Sequence, residues 1–261
     1  MSSKRIYGFD YGKGLAILGM LIAHTFEAGV CDWYNDIQFH YISRIPIPIL
    51  VILAPFALIC LMGLFFTFIT SMTCTMNIIR IESKGKGAVM SYFLYRFAFA
   101  VVLKFVEIFF KGWWKDFGIF QTMHIQFPVI ELGTDGGTLD SIGFCGLLVP
   151  VSVYLVRRFS WVRKDYKRQV VILSAIAVLL LIFYLPIADF FVMMANWLFK
   201  YDFNFLGIVF SKVGKGSFMI AQSFPFGLVG GCISIIMVST KLWKPLWIYA
   251  STMMSIAIIL G

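Results

Sequence analysis

Seven long apolar blocks separated by short polar loops constrain this chain more than any other feature. They lie approximately at 12–30, 48–73, 88–110, 139–156, 169–188, 217–238 and 246–261. A bilayer core of about 30 Å is crossed by about 20 mostly apolar residues in a helix. The apolar residues run continuously instead of alternating with polar ones, which favours spanning helices over a membrane β-barrel. The expected fold is all-α, a polytopic transmembrane bundle with about seven spanning helices. A shorter apolar piece at 117–130 holds Gln121, His124, Gln126 and Pro128 and is expected to be re-entrant or interfacial. No repeat or low-complexity linker divides residues 1–261, so one membrane-embedded domain is expected. The last block stops at Gly261, short of a full span, which suggests truncation at the C-terminus.

Composition agrees, with 60% hydrophobic and 13% charged residues, too apolar for a soluble domain of this length. The net charge of +9 would suit nucleic acid if it formed a patch, but most Lys and Arg sit in short loops between apolar blocks. Counted over alternate loops, 13 basic residues fall on one side and six on the other. The positive-inside rule then predicts an integral membrane protein with a cytoplasmic N-terminus. Nucleic acid is excluded as a partner and the lipid bilayer is the expected one. Four of the five cysteines lie within or beside apolar blocks, and no CxxC or disulfide framework is present. The first block carries His24 and Glu27 in its body and lacks small-residue cleavage chemistry, so it reads as a retained helix.

Ionisable residues at membrane depth are functional suspects by default. His24 and Glu27, three apart on one helix, share a face, and an imidazole oriented by a carboxylate is what a general base requires. The alternative is a mutually satisfied polar pair at a helix end. His40, in the segment after that helix, could reach over a membrane-embedded site as base instead, or simply be solvated. Three scattered histidines give no metal signature. Lys104 and Glu107 can neutralise each other at i,i+3. Arg96 lies eight residues into its block, about 12 Å deep by helix rise, with no acidic residue at i±3 or i±4. Its guanidinium either snorkels to the headgroups or faces a polar cavity, where it could hold phosphate or carboxylate. The run 157–168 carries six basic residues, suited to an anionic donor, to anionic lipid, or to orientation alone.

The opening, Arg5-Ile-Tyr-Gly-Phe-Asp10-Tyr-Gly-Lys13-Gly14 leading into an apolar helix with His24, resembles the first motif of polytopic membrane acyltransferases. It is most similar to the heparan-α-glucosaminide N-acetyltransferase catalytic-domain type, with Lys13 in place of the usual Arg. Pro55-Phe-Ala-Leu-Ile-Cys-Leu-Met-Gly63, Arg96, Phe117-Gly118-Ile-Phe-Gln121 and the segment from Pro225 to Gly231 follow in the family's order. The resemblance covers Arg5 to about Gln121 well and is loose afterwards. It implies transfer of an acyl group, acetyl foremost, from cytoplasmic acyl-CoA to a hydroxyl or amine acceptor such as a sugar at the outer face. On that model Arg5, Asp10, Lys13 and Arg96 hold the donor, no metal is needed, and His24 or His40 serves as base or transient acyl carrier. Glu27 would orient His24, and a homodimer stays open. The rival expectations are a permease or flippase for an anionic solute, with His24, Arg96 and Glu107 along its path, and a non-catalytic membrane fragment.

Overall fold

A computed structural model describes residues 63–116, 137–216, 219–240 and 248–249, together with Gly14 and Thr252. Eight helices and no strand occur among the described residues. They are α1 Gly63–Glu82, α2 Lys86–Asp116, α3 Thr138–Arg158, α4 Ser160–Arg163, α5 Tyr166–Ile182, α6 Tyr184–Lys200, α7 Asn204–Gly214 and α8 Ile220–Thr240. The all-helical part of the expectation is met among the described residues. By length and composition α2, α3 and α8 can each cross a membrane, and the pair α5 and α6 makes a fourth span if taken together. The apolar blocks at 12–30 and 246–261 and the piece at 117–130 fall wholly or largely outside the described residues.

The block expected as one helix over 169–188 is instead broken. α5 ends at Ile182 and α6 leaves at 68°. Pro186 explains the position: it has no N–H for the Ile182 carbonyl and its ring clashes with that carbonyl in a continuous helix. α6 then turns through Tyr201–Phe203 into α7, a short apolar helix in what the sequence presents as a loop. Asp202 takes the left-handed conformation at this turn, at φ 60°.

α8 is the central helix. Two-thirds of its apolar window is buried, against 17% for α2, whose Leu94, Tyr95 and Phe105 face outward. α1, α3 and α8 run parallel, since Ser141 of α3 meets Ser223 of α8 at 2.9 Å and Ser234 Oγ, lower on α8, donates to the Met72 carbonyl of α1 at 2.9 Å. Glycines make the α1–α8 approach this close. A Cβ on Gly227 would stand 2.8 Å from Ser71 Oγ, and one on Gly230 would stand 2.6 Å from the Phe68 carbonyl oxygen. The buried hydroxyls of Thr67, Ser71 and Thr75, spaced four apart on α1, thus run along a seam whose opposing surface includes bare glycine Cα groups. Weak Cα–H···O contacts are the polar interaction such a seam allows. Cys145, Val149, Val153, Leu228, Cys232 and Ile235 fill the core beside it.

Both ends of this bundle carry charge. At the basic end Arg157 donates to Glu82 and to Gln169, each at 2.9 Å, and Arg163 adds a second ion pair to Glu82 at 3.4 Å. Gln169 in turn donates to the Val162 and Arg163 carbonyls, which ties α4 back onto α5. The other, far end is built around Asp140.

Candidate functional site

Arg96 lies on α2, ten residues after Lys86, about 15 Å along the helix axis. Only 9% of it is exposed, so it does not snorkel to the surface. Its Nε donates to the Gly146 carbonyl of α3 at 3.1 Å, and its guanidinium carbon stands 4.8 Å from the centre of the Phe99 ring. Sequence dictates the fit: Phe99 is one turn on along the same helix, and Gly146 has no side chain to obstruct the group. A Cβ on Gly146 would strike Nη2 of Arg96 and stand 3.2 Å from the Thr70 methyl of α1. The guanidinium is therefore enclosed between α1, α2 and α3. The Gly146 carbonyl answers Nε, and Nη2 is buried without a hydrogen-bond partner among the described residues. A buried donor on a permanent cation is costly unless it is satisfied. An anion or a developing oxyanion is the chemistry such a donor fits.

Two turns further along α2, Lys104 reaches the far end. Its Nζ lies 3.3 Å from Asp140 Oδ2, and Lys212 Nζ of α7 lies 2.5 Å from the same oxygen. Asp140 is the N3 residue of α3 and also accepts from the Gly137 N–H at 3.2 Å, so one carboxylate caps α3 and joins α2 to α7. The Asp140 side chain is fully buried and that of Lys212 is 2% exposed. Burial pushes the Lys212 ammonium down to about 8, against the opposing pull of Asp140. Between the two levels the helices touch: a Cβ on Gly143 would stand 3.0 Å from the Ala100 Cα.

No family model, curated protein or solved structure matches the chain. The site therefore rests on its own residues.

Of the residues singled out in the sequence, the structure places Arg96 in a protein-lined, polar-poor niche instead of at the headgroups. Arg5, Asp10, Lys13, His24, Glu27 and His40 lie outside the described residues, as does the Glu107 side chain. Lys104 reaches across to Asp140, and its expected pairing with Glu107 falls outside the described side chains. Sequence reasoning missed Asp140 and counted Lys212 as a loop charge. Signals existed for both: Asp140 stands three residues after Gly137 at the head of an apolar block, a capping position, and Lys212 closes the apolar run 203–210. Among the described residues no three His, Cys, Asp or Glu groups converge as a metal site would require.

Proposed function

We propose that this protein is a membrane-bound, acyl-CoA-dependent acyltransferase that acts on a hydroxyl or amine acceptor. The observation that carries the proposal is Arg96, a permanently charged donor enclosed among three helices, whose Nη2 has no hydrogen-bond partner among the described residues. The order of motifs from Arg5 to Gln121 supports the same reading. In it the chain has about seven spans and a re-entrant segment, with the N-terminus and the basic end cytoplasmic.

The chemistry assigns each group a task. Arg5, Asp10 and Lys13 gather the anionic part of the donor, with Arg96 deeper in the bundle. The open Nη2 of Arg96 donates to the donor's phosphate or to its thioester oxygen, where negative charge grows as the acceptor attacks. His24 oriented by Glu27, or else His40, takes the proton from the acceptor hydroxyl or amine. That proton leaves on the CoA thiol, so the C–S bond breaks as the new ester or amide forms. Ground-state contacts lower KM, whereas a contact that strengthens on the oxyanion raises kcat.

A permease for an anionic solute is the rival reading, and the placement of Arg96 and Lys104 on one face of α2 favours it. The close contact of Ala100 with Gly143 between those two cations weighs against a continuous path. Acetyl-CoA titrated into the purified full chain by calorimetry separates the readings. We expect binding in the wild type, a loss of tenfold or more in Arg96→Ala and partial retention in Arg96→Lys. Undiminished affinity in Arg96→Ala would remove Arg96 from the donor site. Failure of the wild type to bind, with CoA-independent uptake of an organic anion into sealed vesicles, would overturn acyl transfer itself.

A further inference from the structure

The far-end ion cluster and the break at Phe183 belong to one device. α6 and α7 pack mainly on each other. Phe191 and Phe210 have ring centres 5.4 Å apart, and Gly207 lets α7 lie against the Phe199 ring, where a Cβ would stand 2.6 Å from the ring edge. Gly214 seats the end of α7 on the Ala188 carbonyl. Among the described residues, contact with the rest of the bundle is slight by comparison, made chiefly with short stretches of α8 and α5. Leu185, Phe190, Met193 and Trp197 of α6 and Phe205 and Leu206 of α7 are exposed. The hairpin thus holds its own shape, hangs from α5 at a 68° corner, and is tied to α2 and α3 through Lys212.

That tie is a buried ion pair, and burial makes it a poor permanent weld. Desolvating an ammonium and a carboxylate costs about as much as their attraction returns. Apolar packing of the same volume would hold the hairpin at least as well. A contact poised near balance suits an element that must also leave.

We propose that the α6–α7 hairpin is a hinged cover over the far end of the α2–α3 seam, pivoting at Phe183 and latched by Lys212 and Lys104 on Asp140. Opening carries Lys212 away from Asp140 and uncovers that carboxylate, with Lys104 of α2 beside it, at the head of α3. The inference stands whether or not the protein transfers acyl groups.

The test uses the full chain in lipid nanodiscs, with spin labels at Phe205→Cys and Leu155→Cys in a Cys31→Ser, Cys60→Ser background. Both label sites are exposed, and Cys74, Cys145 and Cys232 are buried. Pulsed dipolar spectroscopy should show a closed distance and a longer one in the wild type. Asp140→Asn, which removes the carboxylate that both lysines share, should move most of the population to the longer distance. Adding Lys212→Met should restore the closed distance, and Lys212→Met alone should remove the longer one. A single distance unchanged across all four proteins would overturn the proposal. Amide exchange of the wild type covers the case in which Asp140→Asn fails to fold. Residues 184–214 should exchange at least tenfold faster than α1, α3 and α8, and equal protection would overturn the cover.

Discussion

The two charged ends of the bundle use the same kinds of residues in opposite ways. At the basic end Glu82 is shared by two arginines and the partly exposed Arg157 divides its donors between Glu82 and Gln169. At the far end Lys104 and Lys212 converge on a single oxygen of a fully buried carboxylate. The first is a partly buried brace spread over several contacts, with Arg163 reaching in from solvent. In the second, two ammonium groups meet at one atom, Asp140 Oδ2. The comparison shows why counting charges by loop, which assigns sidedness, says little about what each charge does.

The largest effect is expected where the burden is concentrated. Asp140→Ala leaves two lysines around a vacated anion and an uncapped α3, and should cost about 3–5 kcal/mol, as breaking a buried pair from one side does. Denaturant unfolding of the purified protein measures it, and a loss no larger than that of Glu82→Ala would erase the contrast between the ends. Next comes Gly146→Ala, between the ends, where the new methyl meets the Arg96 guanidinium. Overpacking of this kind costs about 1–3 kcal/mol. It should also weaken acetyl-CoA binding, which a purely structural role for Arg96 would leave unchanged.

A smaller effect is a slope with pH. Among the described residues, the charged groups that meet the Lys212 ammonium are Asp140 and Lys104. With its pKa lowered to about 8 in the fold, Lys212 sheds a proton on folding at any pH between there and its ordinary value near ~10.4. The folded state then holds fewer protons than the unfolded one, so stability rises with pH across that window and is unaffected by this group below it. The difference in melting temperature between wild type and Lys212→Met should shift in favour of the wild type from pH 7.5 to 9.5. Parallel curves would place Lys212 in a far more solvated setting. The smallest effect is Glu82→Gln, expected to cost about 1 kcal/mol or less and to shrink further in high salt. Salt should leave the cost of Asp140→Ala nearly unchanged.

Much of the scaffold was legible. The blocks at 88–110, 139–156 and 217–238 correspond to α2, α3 and α8 because an uninterrupted apolar run has few alternatives to a helix in a bilayer. Arg96 stood out for a similar reason, since a cation at that depth without a neighbour on its own helix must be answered by another helix. The corner at Phe183 was written in Pro186 but submerged in a run apolar enough to read through. Asp140 and Lys212 were not legible as a pair. Their meeting depends on α7 folding back beside α3, a tertiary event that neither residue's neighbours encode. The histidines that the sequence favours for catalysis fall outside the described residues.

The seat of Arg96 on Gly146 also bears on how the chain is made. A helix with an unmet guanidinium near its middle enters lipid poorly when alone. Among the described residues, the groups that receive Arg96 are Phe99 from its own helix and the Gly146 carbonyl, which arrives about fifty residues later in synthesis. α2 is therefore expected to wait beside the insertion machinery, or to sit shallowly, until α3 emerges to shelter the charge. On that expectation a single glycine, remote from either end, governs when α2 can settle in the membrane.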